Sequence, residues 1–335
     1  MKTVEFDYNL PPELIAQKSA EPRDSSRLLV LDRKSGNITH TKFRSIVEYL
    51  KPGDVLVFND SKVFRARLRG RNDYGRDVEI FLLRVVRDAA QSTWEALLKP
   101  GRMCKIGDRV QLTKTLSCEV LAKAEDGVVE LVFSGAANDV FAYCDMHGEI
   151  PVPPYVTTVP EHTADYQTVY ARETGSVAAP TAGFHFTNEL LEQIRSMGVQ
   201  TAFVTLHVGI GTFRPVQTDT LEEHVMHEEW LTVPKETQEA VARAKQDGRR
   251  VIAVGTTSMR ALESGITSGT TNLFITPGYA FKTVAAMITN FHVPKSTLLV
   301  LVSAFAGKEH IFRAYEDAIK EKYRFLSFGD AMFLK

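Results

Sequence analysis

The chain has 335 residues, of which 44% are hydrophobic and 24% charged; this balance excludes an intrinsically disordered protein, and the length predicts two units, each with its own core. Its 40 Lys and Arg against 41 Asp and Glu leave a formal charge of -1, which excludes a globally basic nucleic-acid binder and confines any phosphate contact to a local basic face. The odd set Cys104, Cys118 and Cys144 argues against a disulfide framework and for a reducing compartment.

The start, MKTVEFDYNLPPELIAQ, carries acidic residues and prolines where a signal peptide needs an apolar run. The longest apolar run, STLLVLVSAFAG, is about a dozen residues, against roughly twenty for a membrane-spanning helix. A cytoplasmic protein with no membrane partner is expected, and the composition offers no reason to expect anything other than a monomer.

In chain order, Pro11 and Pro12 predict a short helix over ELIAQ. RLLVLDRKSGNITH reads as a hairpin around its Ser-Gly turn, and FRSIVEYL has its apolar residues on one helical face. Lys51-Pro52-Gly53-Asp54 then turns the chain into the strand VLVF. From 61 to 133 the pattern changes to short strands, beginning with VFRARLRG and ending with VVELVF, separated by turn residues, which predicts an antiparallel barrel or sandwich. DVFAYCDMHG suggests a short helix, and EIPVPPYV a stiff, extended junction.

The later half alternates helix and strand. TNELLEQIRSMG precedes VQTAFVTLHVG, PKETQEAVARAKQDG precedes RRVIAVG, SMRALESG precedes TNLFITPG, and KTVAAMITNF is read as a helix before the strand STLLVLVSAF. The fold expected is a mixed α/β main domain, residues 1–60 and 150–335, carrying most of the active site. A small antiparallel β-barrel, residues 61–149, is inserted into it.

Several segments carry chemistry. In SVAAPTAGFHFTNELL, Gly183 precedes Phe184, His185 and Phe186; small residues allow close backbone approach, and aromatics either sandwich a flat base or pack in the core. LHVGIGTFRPV sets His207 at a strand end before Gly209, Gly211, Thr212 and Arg214, a loop matching neither a dinucleotide fingerprint nor a P-loop. Thr256, Thr257 and Ser258 offer hydroxyls at a helix start, and Arg260 a clamp for a carboxylate. His292 is a further candidate, placed before the strand STLLVLVSAF. Asp60 is the carboxylate best placed to act as a base. After it, Lys62, Arg65, Arg67, Arg69 and Arg71 form a basic ridge, with Phe64, Ala66 and Leu68 turned to the core. That ridge either follows a phosphate backbone or is a salt-bridged surface. His224, His227 and Glu228 match no zinc pattern, so no metal site is expected.

Read together, FDYNLPPELIAQ, FNDSKVFRARLRG, GEIPVPPY, SVAAPTAGFHFT, HVGIGTFRPV, HVMHEEW, VGTTSMRALES and NFHVPKSTLLVLVSAFAG resemble, in this order and nearly end to end, the S-adenosylmethionine:tRNA ribosyltransferase-isomerase family of queuosine biosynthesis. The resemblance implies an α/β domain with an inserted β-barrel. It implies that S-adenosylmethionine is consumed as a substrate, with no recycled cofactor. Its ribosyl part passes to 7-aminomethyl-7-deazaguanine at the wobble position of tRNA and is isomerised, giving epoxyqueuosine, adenine and methionine.

Within these blocks, His185 or His207, with Asp60 as rival, is assigned to proton transfer. Phe184 and Phe186 are assigned to stacking, Gly183, Gly209 and Gly211 to close approach, and Thr256–Ser258 with Arg260 to the methionine carboxylate or a ribose. Lys62, Arg65, Arg67, Arg69 and Arg214 are assigned to tRNA. A tRNA methyltransferase using the same donor would need a glycine-rich strand-to-helix signature that the chain lacks. A non-catalytic RNA-binding protein would leave the glycine, histidine and threonine clusters unexplained.

Overall fold

A computed structural model describes residues 1–158, 162–209 and 215–335. The chain opens with the predicted hairpin, β1 (Arg27–Leu31) and β2 (Ile38–Lys42), followed by β3 (Val55–Asn59) and a short β4 (Ser61–Val63). Six strands then close into a barrel: β5 (Arg67–Asn72), β6 (Asp77–Arg87), β7 (Thr93–Lys99), β8 (Arg109–Gln111), β9 (Ser117–Lys123) and β10 (Val129–Phe133). Every pairing in it is antiparallel, and β6 is bent by register shifts at Leu82/Arg84 and Val85/Arg87, which supply the curvature closure needs. Alternate residues such as Leu68, Ile80, Leu82, Trp94 and Leu131 fill the interior.

Helix α1 (Ala137–His147) packs Val140 and Cys144 onto the barrel. The three cysteines are free and buried there, and burial pushes the Cys118 and Cys144 thiols up to about 12. The return to the main body passes through β11 (Glu173–Ser176), parallel to β4.

The second half adds α2 (Asn188–Ser196), β12 (Gln200–Leu206), β13 (Glu229–Thr232), α3 (Lys235–Gln246), β14 (Val251–Val254), α4 (Thr256–Glu263), β15 (Ser268–Thr271), β16 (Ala286–Asn290), α5 (Thr297–Ala306), α6 (Lys308–Lys320) and β17 (Ala331–Leu334). One nine-stranded sheet results, in the order β15-β13-β12-β3-β14-β16-β17-β1-β2. Its central four strands, β12, β3, β14 and β16, run parallel.

These strands read as continuous apolar runs because both faces are covered. Leu56, Phe58, Ile252, Val254 and Ile288 face one layer, with α2 and a 3-10 helix at Phe43–Tyr49. Val57, Ala253, Met287 and Met332 face the other, formed by α3 to α6. No helix among the described residues is long and apolar enough to cross a membrane.

Two expectations are reversed. KTVAAMITNF contains no helix: Ala286–Asn290 is a fully buried central strand. STLLVLVSAF is a helix, not a strand, and is apolar on nearly all sides because it lies between the sheet and α6. A short apolar run cannot by its period tell a buried strand from a buried helix; the caps can. Ser296 accepts the Leu299 amide through its side chain at 3.2 Å, and Gly307, with φ 85°, ends the helix. Smaller differences follow the same limit. ELIAQ and FRSIVEYL form only 3-10 turns, VFRARLRG is interrupted between β4 and β5, and TNLFITPG is mostly loop.

Because Ser296 caps α5, Ser296→Ala should lower the unfolding free energy by about 1 kcal/mol in urea titration. No change would mean that this bond does not hold the helix start.

Candidate active site

The four parallel strands end at one edge, where open α/β sheets bind their ligands. At the end of β3 three consecutive side chains organise this edge. Asn59 is fully buried: its Nδ2 donates to the Leu206 carbonyl (2.9 Å) and the Thr257 hydroxyl (3.1 Å), while its Oδ1 accepts the Leu206 (3.0 Å) and Ser61 (3.1 Å) amides. Asp60 accepts the Thr205 hydroxyl on Oδ1 (2.7 Å) and the Arg172 guanidinium on Oδ2 (2.7 Å). Ser61 Oγ meets His207 Nδ1 at 2.8 Å.

Asp60 is therefore no free base; it is an anchor that also receives the Arg172 and Glu173 amides on its backbone carbonyl.

His207, just past β12, stacks on Trp230 with ring centroids 5.3 Å apart. Its Nε2 edge faces Gly175, where a Cβ would come within 2.6 Å of that nitrogen, so only glycine leaves this edge room. Burial lowers its pKa to about 4, partly offset by the charge of Asp60.

His185 lies deeper. The Leu326 carbonyl takes one Asn290 Nδ2 hydrogen at 3.2 Å, which fixes the amide so that Nδ2 also donates to His185 Nε2 at 3.2 Å. His185 Nδ1 then carries the proton and donates to Ser26 Oγ at 2.8 Å. With both nitrogens engaged and Phe43 stacked on its ring, His185 positions Asn290 from behind the site. Burial lowers its pKa to about 4. His292 follows β16 instead of preceding a strand; its Nε2 pairs with the Thr289 hydroxyl at 2.9 Å, and burial lowers its pKa to about 3.

Three neighbouring cavities surround these groups. The first, about 60 Å³ at the strand ends, is walled by Gly255, Thr256, Thr257, Asn290, His292 and Val208, among others. The second, a cleft of about 610 Å³ between the barrel and the sheet, shares Val208 and adds His207, Gly209, Trp230, Arg84 and Glu95. The third, about 20 Å³, is lined by Glu229, Arg260, Thr297 and Leu298. Among the described residues no cluster of three or more His, Cys, Asp or Glu side chains could hold a metal.

Other expected site residues have different surroundings. Phe186 is fully buried between Phe43 and Phe58, and Phe184 packs on Tyr166 and Phe328; neither lines the strand-end pocket, so the core reading of both holds. Gly183 approaches protein, not ligand: a Cβ there would lie 1.9 Å from the Tyr170 hydroxyl. Ser258 turns its hydroxyl back to the Val254 carbonyl at 2.8 Å. Arg260 offers no two-pronged clamp, because Nη1 donates to Glu229 and Nε to the Leu273 carbonyl at 3.2 Å.

On the basic ridge Arg67 pairs with Glu79, Arg69 with Glu149 and Arg71 with Asp77. Arg65 donates to the Gly148 carbonyl at 3.4 Å, and Lys62 is exposed. Gly211, Thr212 and Arg214 lie outside the described residues.

A wound sheet with a polar pocket at its parallel-strand ends, beside a barrel and a wider cleft, is the architecture of an α/β enzyme with its ligand site at the strand ends. The sequence model of the family described as Queuosine biosynthesis protein matches residues 3–334, and this chain belongs to that family.

Its relatives include proteins called S-adenosylmethionine:tRNA ribosyltransferase-isomerase. That of Caldanaerobacter subterraneus subsp. tengcongensis is 51% identical over 346 residues, and that of Thermotoga maritima 49% identical over 342, each alignment covering 100% of both chains. A crystal structure of S-adenosylmethionine tRNA ribosyltransferase from Thermotoga maritima matches with a TM-score of 0.58 and 41% identity, covering 99% of this chain and 100% of that one.

The three histidines have an acid-stability consequence. Each has a folded pKa below its ordinary 6.5, so the unfolded chain takes up protons that the fold does not. Stability is full above about pH 6.5 and is lost as pH falls toward about 4, with a slope approaching roughly 1.4 kcal/mol per pH unit for each ring. Urea titrations at successive pH values should show this decline; a flat profile would mean the rings ionise without cost in the fold.

Proposed function

We propose that this chain is an S-adenosylmethionine:tRNA ribosyltransferase-isomerase, acting as a monomer in the cytoplasm on tRNA that carries 7-aminomethyl-7-deazaguanine at the wobble position. The observation that carries this reading is end-to-end identity of about half to relatives bearing that name. S-adenosylmethionine is a consumed substrate, and no recycled cofactor takes part.

In this reading the strand-end pocket takes the adenosyl group. Thr256, Thr257 and Asn290 supply its polar contacts, and the first amides of α4 lie beside them. The cleft takes the acceptor base, flipped from the anticodon loop, where unstacking costs less than in a duplex. Trp230, 40% exposed, offers it a stacking face. The sulfonium acidifies the adjacent C5′ position, and His207 Nε2 accepts that proton. The lowered pKa keeps the ring neutral at pH 7, and the nearby Asp60 charge stabilises the imidazolium once formed.

Adenine then leaves with the glycosidic electron pair. Adenine takes up a proton as it leaves, the aminomethyl nitrogen gives one up as it bonds to the ribosyl carbon, and the C5′–sulfur bond breaks with its electron pair going to methionine as the ring is isomerised to the epoxycyclopentanediol. Pocket and cleft meet at Val208, which sets amine and sugar side by side, and such positioning supplies much of a rate. Lys62 is proposed as a phosphate contact on the barrel side, since its neighbours Arg67 and Arg69 already hold carboxylates.

Incubating the protein with S-adenosylmethionine and the modified tRNA should release adenine and methionine in step with a tRNA-linked epoxycyclopentanediol, seen by mass spectrometry. S-adenosylhomocysteine as product would instead mean methyl transfer. Gly175→Ala, whose added carbon would displace the His207 ring, should lower kcat by roughly 10²-fold while the melting temperature stays within a few degrees. An unchanged kcat would remove His207 Nε2 from the reaction.

A further inference from the structure

The smallest of the three cavities, about 20 Å³, lies between the start of β13, α4 and the start of α5. It shares Leu298 with the strand-end pocket and Glu229 with the cleft, so it lies beside both proposed substrate positions. Its walls hold two independent anion-seeking features.

Arg260 is only 4% exposed, and with Nη1 on Glu229 and Nε on the Leu273 carbonyl, its Nη2 has no hydrogen-bond partner among the described residues. Buried guanidinium hydrogens are rarely left unmatched, and the Arg260 side chain forms part of the cavity wall. The second feature is the start of the ten-residue α5. Ser296 satisfies only the Leu299 amide, so the amides of Thr297 and Leu298, both at the cavity wall, lie at the positive end of the helix outside its internal ladder.

The remaining wall sets the rings of His224 and His227 among the apolar Met226, Leu273, Phe274, Ile275 and Leu301. In such surroundings a charge-assisted hydrogen bond is stronger than in water. The space suits groups the size of one or two waters and excludes a nucleobase or a sugar. Glu229, next to Arg260, disfavours a bare anion and favours one that carries its own ammonium group.

We propose that this cavity is the amino-acid subsite. It binds the α-carboxylate of the methionyl end of S-adenosylmethionine on Arg260 Nη2 and the first amides of α5, with the α-ammonium directed to Glu229, while the adenosyl part occupies the strand-end pocket across Leu298. The inference rests on S-adenosylmethionine being the substrate. It moves the carboxylate from the start of α4, where Ser258 turns its hydroxyl back to the Val254 carbonyl, to the start of α5.

The test compares S-adenosylmethionine with its decarboxylated analogue on the full chain, by calorimetry and by turnover with the modified tRNA. The analogue should bind the wild type roughly ten- to hundred-fold more weakly, as expected for losing a charge-assisted contact; equal affinities would overturn the proposal. In Arg260→Met combined with Glu229→Gln, which leaves no lone buried charge, affinity for S-adenosylmethionine should fall to that of the analogue, and retained discrimination would also overturn it.

If that variant does not fold, Thr297→Pro serves. Proline is favoured at the first helical position and removes one amide donor. It should weaken S-adenosylmethionine several-fold and leave the analogue unchanged; an equal effect on both would count against the subsite. If S-adenosylmethionine binds without being consumed, the proposed activity fails while the affinity ratio still decides the subsite. If it does not bind at all, both fail.

Discussion

The carboxamide of Asn59 carries two donors and two acceptor positions, and the fold engages all of them. Both backbone groups of Leu206 bond to it, so the ends of β3 and β12 are tied by a side chain just where β3 leaves the sheet. Its remaining bonds reach Thr257 at the start of α4 and the amide of Ser61, which turns the chain toward the barrel. No other uncharged side chain has this geometry with respect to two strand ends and a helix start. An aspartate could not donate, and a leucine would leave the buried Leu206 amide and carbonyl without partners. The strand-end pocket, His207 and the path to the barrel all depend on this one group being satisfied.

Polar groups around it follow the same rule of full engagement. Asp60 pairs with Arg172, and Glu229 with Arg260. The buried His185 and His292 and the half-buried His207 are held neutral by desolvation, two of them bonded through a serine. Most of these side chains are held by other protein groups. His185 orients Asn290; Asp60 fixes β11, and with it Gly175, against the edge of His207. Among the described residues, the cavity walls include the His207 ring, the Thr256 and Thr257 turn, and Asn290.

The barrel contributes a wall. Phe64 leads into it and packs at 5.1 Å on Phe141, which in turn meets Trp94 at 5.0 Å. These three rings form an apolar floor to the cleft, while the Arg84–Glu95 pair and the Trp230 and His207 rings supply its polar and aromatic sides. A cleft formed between two separately packed units can be wide without leaving a void in either core.

By itself the sequence determined the class of the fold, with its strand-rich region and the hairpin near the start of the chain, and it singled out the segments around 60, 185, 207, 256 and 292 without showing how they lie in space. These properties are local: alternation, turn residues and motif order survive without knowledge of neighbours. Only the tertiary structure decided that KTVAAMITNF is a strand and STLLVLVSAF a helix, because full burial erases the periodicity that separates the two. It also decided which polar residues in each segment are available. Phe184, Phe186, Gly183, Ser258 and Asp60 look chemical in a string of letters, yet their partners come from distant parts of the chain: Tyr170 over Gly183, Phe43 and Phe58 around Phe186, Arg172 on Asp60. Conversely Asn59, Gly175, Glu229 and Asn290 carry no local signature, since their importance lies in hydrogen bonds and close approaches that exist only once the strands are side by side.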